Sequence, residues 1–169
     1  MDLTFCKFNL AANAQRVNKL AKGISPEQAR WKPDPDSWSI LEVINHLLDE
    51  EIRDFRVRLE ITLFTPIENW PTISPLRWVT ERRYNDRDLE ESVSGFLAAR
   101  EDSLSWLSTL QSTDWEASYD APWGKIRAGD LIASWVAHDM LHMRQIVELH
   151  WAYVTFRTGT FRTDYAGEW

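Results

Sequence analysis

The chain has 169 residues, 44% hydrophobic and 27% charged, and its 19 Lys plus Arg against 26 Asp plus Glu give a formal charge of −7. This length fits one domain with a substantial core, the acidity argues against a nucleic-acid partner, which needs a basic surface, and no apolar run is long enough to span a bilayer. Cys6 is the only cysteine, which excludes intrachain disulfides and multi-cysteine zinc sites, and the N-terminus lacks the basic-then-apolar pattern of a signal peptide, so a cytoplasmic protein is expected.

The pattern is helical almost throughout. Residues 3–22 predict a first helix with Phe5, Phe8, Ala12, Val17 and Leu20 as its apolar stripe and Gly23 as its stop. Ser25 and Pro26 begin a short helical turn, and the segment KPDPDSW reads as an extended connection. The second helix follows from Ser39, where Ser39 and Glu42 form the S-x-x-E capping box. Ile40, Val43, Leu47 and Phe55 recur at helical spacing behind it. Residues 65–83 contain Pro66, Pro71 and Pro75 and predict a long crossover without a regular element of its own. Residues 88–110 predict a third helix with Val93, Phe96, Leu97, Leu104 and Leu107 inward. A loop with a possible β-turn pair leads to a fourth helix from Ala128 to about Tyr153. Four amphipathic helices with one long crossover predict an all-α four-helix bundle over residues 1–154, followed by a tail at 155–169.

The fourth helix carries an unusual pair. His138 and His142 stand four residues apart amid apolar neighbours, and i and i+4 differ by only about 40° around a helix. Both imidazoles therefore face one way, and two neutral ring nitrogens at this spacing suit a single transition-metal ion. His46, in VINHLLDEE, lies on the inner face of the second helix and can join them if the second and fourth helices are neighbours. His150 lies about 80° further round and roughly 12 Å along the axis, and so falls outside the set. A core histidine bonded to backbone is the ordinary reading of one such residue; three of four histidines on inner faces favour a metal site.

Glu50 follows His46 by one turn. It could hold the His46 ring, accept a proton from a bound nucleophile, or lie on the surface within the acidic run Asp49–Glu51. Asp49 and Glu51 are expected at the surface, and Asp139 in surface ion pairs. HDMLH has Asp where the zinc-peptidase motif needs Glu, and the inward Glu-x-x-His pairs of a di-iron bundle are missing. Trp135 could wall a pocket or fill the core; Trp31, Trp38 and Trp106 read as core or staple residues. Gln145 could bond a substrate or a helix neighbour, and Cys6 is expected to be buried and inert.

Trp38-Ser39-Ile40, then EVINHLLDEE, then GDLIASWVAHDMLHMRQI resemble, in order and spacing, the DinB/YfiT-like superfamily. The family pattern of His-x-x-x-acid and a distant His-x-x-x-His falls on His46, Glu50, His138 and His142. The resemblance implies an antiparallel four-helix bundle, a divalent metal, zinc or nickel, on His46, His138 and His142, and a homodimer. It also implies a thiol S-transferase using a low-molecular-weight thiol, or a hydrolase, acting on a small apolar electrophile, with Glu50 as the candidate catalytic carboxylate. The alternative is a non-catalytic stress-response or small-molecule-binding module whose metal is structural or absent.

Overall fold

The computed structural model describes residues 1–167. Helix α1 spans Leu3–Ala21, and the Asp2 carboxylate caps it by accepting the Phe5 N–H at 2.9 Å. Gly23, at φ 82°, then turns the chain in the left-handed region open to glycine. The short α2, Pro26–Arg30, has Ser25 as its cap. Helix α3, Ile40–Glu50, opens with the expected capping box: the Glu42 carboxylate accepts the Ser39 N–H at 2.9 Å, and Ser39 Oγ accepts the Glu42 N–H at 3.1 Å.

The second bundle helix is not a uniform α-helix. A π-helical turn, Glu51–Phe55, joins α3 to α4, Arg56–Phe64. Such turns insert one residue into the helical ladder and re-aim the side chains around it. Propensity carries no signal for it, which is why the sequence reads as one continuous helix. In and just before it Asp49, Glu50, Glu51 and Asp54 are all buried. The expectation that Asp49 and Glu51 face solvent is therefore wrong.

The crossover contains regular structure where none was expected. Helix α5, Pro75–Glu81, and a 3₁₀ turn, Tyr84–Asp86, lie within it. Both are pinned to α3: the buried Tyr84 hydroxyl donates to the Asp49 carboxylate, and Arg82 Nη1 lies 2.7 Å from Asp49 Oδ1. Helix α6 spans Leu89–Thr109 behind an Asp88 cap. A two-stranded antiparallel hairpin, β1 Ser118–Ala121 and β2 Gly124–Arg127, fills the loop that follows. Helix α7 then runs without a break over Ala128–Thr158, past residue 154 and so into the segment expected to be tail.

These pieces form a four-helix bundle in which two helices run each way. Helix α1 packs on α6 and α7, and α3 also packs on α6 and α7. The first and second bundle helices thus face each other diagonally, and the second and fourth are neighbours. One apolar cluster joins the C-terminal part of α1, the N-terminal parts of α3 and α6, and the C-terminal part of α7, through Val17, Val43, Ile44, Phe96 and Ile146. The other joins the opposite ends, through Leu10, Leu59, Leu107, Ile132 and Trp135. Helices α1 and α7 therefore run one way, and α3–α4 and α6 the other. Because α4 and α6 belong to co-directional helices, the chain must return along the whole bundle between them, which explains the long crossover.

On α1 the inward face differs from the expected stripe. Cys6, Leu10, Asn13, Ala14, Val17 and Ala21 are buried, whereas Phe5 and Phe8 are 60% and 69% exposed. Both stripes have helical spacing; the smaller side chains lie where α1 meets α6 and α7.

Candidate metal centre

Every bundle helix interrupts its apolar face between the two clusters. The buried interruptions are Asn13 on α1, Glu50, Glu51 and Asp54 around the π turn, Arg100 and Ser103 on α6, and Asp139 on α7. His46, 4% exposed, belongs to the same layer and meets His138 and His142 across the α3–α7 contact. His46 Nε2 lies 3.3 Å from His138 Nε2, and His142 Nε2 lies 3.1 Å from His138 Nε2. One ring nitrogen from each residue falls within 4.8 Å of the other two, and this trio is the cluster with metal-binding geometry among the described residues. Two nitrogens on one tetrahedral zinc-like ion, each at about 2.0–2.1 Å, stand about 3.3–3.4 Å apart. The His46–His138 separation equals that figure and the His138–His142 separation falls about 0.2 Å short of it.

The protonation chemistry fits as well. Burial, followed by the neighbouring imidazoles, pushes His46 down to about 2. Burial, His142 and the Arg100 cation push His138 down to about 3. Burial also lowers His142, against the opposing effect of its bond to Gln145. All three rings are thus neutral near pH 7, the form that ligates metals. His142 Nδ1 faces Gln145 Oε1 at 2.8 Å, so the ring donates there and leaves the Nε2 lone pair toward its partners. Gln145 is therefore a helix neighbour that orients the His142 ring.

Glu50 is buried beside His46, its Oε1 3.8 Å from Nδ1. Neither atom has a hydrogen-bond partner. This is the side of the ring away from the converging nitrogens. Burial, then the Asp54 carboxylate beside it, pushes Glu50 up to about 9. A carboxyl held neutral in this way ionises more readily when a cation is near.

Aromatic rings wall the trio. Trp38 lies 5.0 Å from His46 and stacks at 5° on His142 with centroids 6.3 Å apart. Phe55 lies 5.0 Å from His138. Trp38 packs against the core as expected and also walls the site, and Phe55 sits at the end of the π turn. Trp135 takes the core role: it is 1% exposed and stacks on Phe55 at 5.8 Å. His150 is elsewhere, held by Gln28 at 2.9 Å and the Leu20 carbonyl at 2.8 Å. Cys6 is buried in the other half of the bundle. Asp139 does not form surface pairs; it is 1% exposed and bound to Arg100.

One side of the trio opens to solvent. His142 reaches a cleft of about 570 Å³ whose apolar lining includes Trp38, Leu76, Leu149 and Ala152. Gln145 and Glu148 line it from α7, and Pro33, Asp36 and Ser37 from the connection before α3.

The model of the DinB superfamily matches residues 9–146 of the chain. The chain belongs to the DinB superfamily. Among solved structures this DinB protein is similar to YfiT from Bacillus subtilis, with a TM-score of 0.77 and 15% identity over 87% of this chain and 85% of that one. YfiT is described as a probable metal-dependent hydrolase with an unusual four-helix bundle topology. At that identity the likeness establishes the fold. No curated protein matches the chain, and no helix among the described residues of this DinB protein is long and apolar enough to cross a membrane.

Proposed function

We propose that the protein is a metal-dependent enzyme, a thiol S-transferase or hydrolase acting on a small apolar electrophile. The observation that carries this reading is the convergence of three neutral imidazoles, with one ring nitrogen of each within 4.8 Å of the others, beside an open apolar cleft. A closed structural site would use four protein ligands; three leave a position for a reactant. His46, His138 and His142 would hold the divalent ion, with zinc or nickel proposed from their nitrogen donors. When bound, the ion supplies Lewis-acid chemistry that lowers the pKa of a water or thiol reaching it.

The chain's own residues divide the remaining work. Gln145 fixes the His142 tautomer. Glu50 stands behind His46, and its place near Nδ1 supports an orienting role more than direct proton transfer at the open side. Trp38 offers a flat apolar wall against which an electrophile can lie. Leu76, from the crossover, and Leu149 and Ala152, from α7, add apolar lining. A homodimer is proposed with this activity, supported by Phe5 and Phe8 on the outer face of α1; sedimentation at several concentrations tests it.

The deciding measurement is the metal content of protein purified without chelator or a metal-affinity column. Turnover of a reactive aryl or alkyl electrophile is then followed with cationic, neutral and anionic thiols and with water alone. Stoichiometric metal and metal-dependent turnover support the reading. Metal-free protein that neither takes up zinc nor nickel refutes it and leaves a non-catalytic module. Thiol-independent turnover selects the hydrolase.

A further inference from the structure

The layer that holds the histidines also holds a buried charge cluster that the proposed chemistry does not use. Arg100, on α6, is 2% exposed. Its Nε donates to Glu51 Oε1 at 2.9 Å, and its Nη2 lies 2.9 Å from Glu51 Oε2. Nη1 and Nη2 donate to the two Asp139 oxygens at 2.7 and 2.9 Å. Nη1 also donates to the Leu10 carbonyl at 2.8 Å, and Trp135 Nε1 donates to Glu51 Oε2 at 2.9 Å. One guanidinium thus joins α1, the π turn, α6 and α7. Each carboxylate it grips is next in sequence to a residue of the centre: Glu51 follows Glu50, and Asp139 follows His138.

Stability alone does not explain this cluster, because buried ion groups are often matched or bettered by apolar residues of similar volume. What paired Arg–carboxylate forks do supply is a fixed distance and angle. The histidine centre needs that at one place. The i, i+4 spacing within α7 sets the His138–His142 separation. The 3.3 Å between His46 and His138 spans two helices, and nothing inside either helix fixes it.

We propose that Arg100, Glu51 and Asp139 are positioning residues, a buried charged strut that sets the approach of the second bundle helix to α7 and so the bite of the three histidines. The proposal rests on the metal reading above. The strut works through the backbone of α7 and the π turn, since among the described residues its hydrogen bonds run to one another, to Leu10 and to Trp135 rather than to the imidazoles it aligns. Without it, the His138–His142 pair persists and His46 drifts from its position.

The test uses the full-length protein and Co(II), whose visible absorption reports ligand number and geometry. The charge-free variant Glu51→Gln, Arg100→Met, Asp139→Leu removes all three charges together, and Gln keeps an acceptor for Trp135. It is expected to remain folded, to bind Co(II) at least about tenfold more weakly, as loss of supporting residues around a metal does, and to show an altered visible band. Leu107→Ala, in the far apolar cluster, serves as the control: it lowers the melting temperature and leaves Co(II) affinity and spectrum unchanged. If the triple variant fails to fold, Arg100→Lys keeps the charge without the fork, and the same weakening and altered band are expected. Native affinity and spectrum in the folded strut variant overturn the proposal. So does an equal loss of affinity in Leu107→Ala, which would reduce the effect to general destabilisation. Native protein that binds no Co(II) removes the three-histidine reading and the strut with it, whereas native binding with an unaffected strut variant removes the strut alone.

Discussion

Chelation should weaken this fold without unfolding it. The two apolar clusters lie on either side of the histidine layer and draw on all four bundle helices. Each fully buried large apolar side chain contributes about 1.5–3 kcal/mol, so the core does not depend on an ion. The three Nε2 atoms also already stand 3.1 and 3.3 Å apart along the trio, and binding therefore has no folding step to drive. The ion then stabilises only by mass action, about 2.7 kcal/mol at a free concentration one hundred times its Kd. For a domain of this size each kcal/mol moves Tm by about 2–4 °C, which gives a shift of about 5–11 °C. Differential scanning calorimetry with zinc, with cobalt and with excess chelator measures it, and circular dichroism checks that the chelated protein remains helical. Complete unfolding on chelation would show that the clusters do not suffice and that the ion is structural. A Tm indifferent to free metal would show that the trio binds nothing.

Three further outcomes are expected. Replacing His46, His138 or His142 by Ala should abolish tight metal binding in isothermal titration, whereas His150→Ala should not, since its ring is engaged by Gln28 and the Leu20 carbonyl; equal losses would mean the ligand set is misassigned. Glu50→Gln should weaken metal affinity by about 10–100-fold if it orients His46, or retain the metal and lose turnover by about 10²–10⁴-fold if it moves the proton; a variant unchanged in both leaves Glu50 without a function at the centre. Burial, and next the Asp2 carboxylate, push the Cys6 thiol up, so less thiolate forms at pH 8 than in the unfolded chain, and alkylation should be slow until denaturant is added; rapid labelling of native protein, followed by mass spectrometry, contradicts this.

What the sequence discloses here follows the range of the forces involved. The capping box at Ser39 and Glu42 is a local motif and forms as expected. The i, i+4 histidines are a local periodicity, and helix geometry alone aims them together. His46 required a relation between distant segments, and it joins the pair because the bundle order makes α3 and α7 neighbours. The errors cluster where a helix departs from regularity or where a charge finds a distant partner. No residue type announces the π turn, yet Glu51 is buried within it and Phe55, at its end, lies against His138. Asp139 looks solvated beside its neighbours, and only Arg100, 39 residues away in sequence, makes its burial favourable. Trp38 reads as core from its apolar character; that it walls the centre depends on where the loop before α3 comes to rest.

The cleft has a divided origin. Its histidine end is built from bundle helices, and much of its rim comes from elsewhere: Pro33, Asp36 and Ser37 before α3, and Leu76 in the crossover. Connections such as residues 31–39, and short surface elements such as the exposed Leu76 at the start of α5, tolerate exchange far better than packed bundle helices do. Changes in these two segments can therefore reshape the cleft while the three histidines stay in place, so that rim and histidine trio are free to evolve as separate modules. The Tyr84–Asp49 and Arg82–Asp49 contacts anchor the crossover against α3 and keep such a replaceable rim in register with a fixed centre.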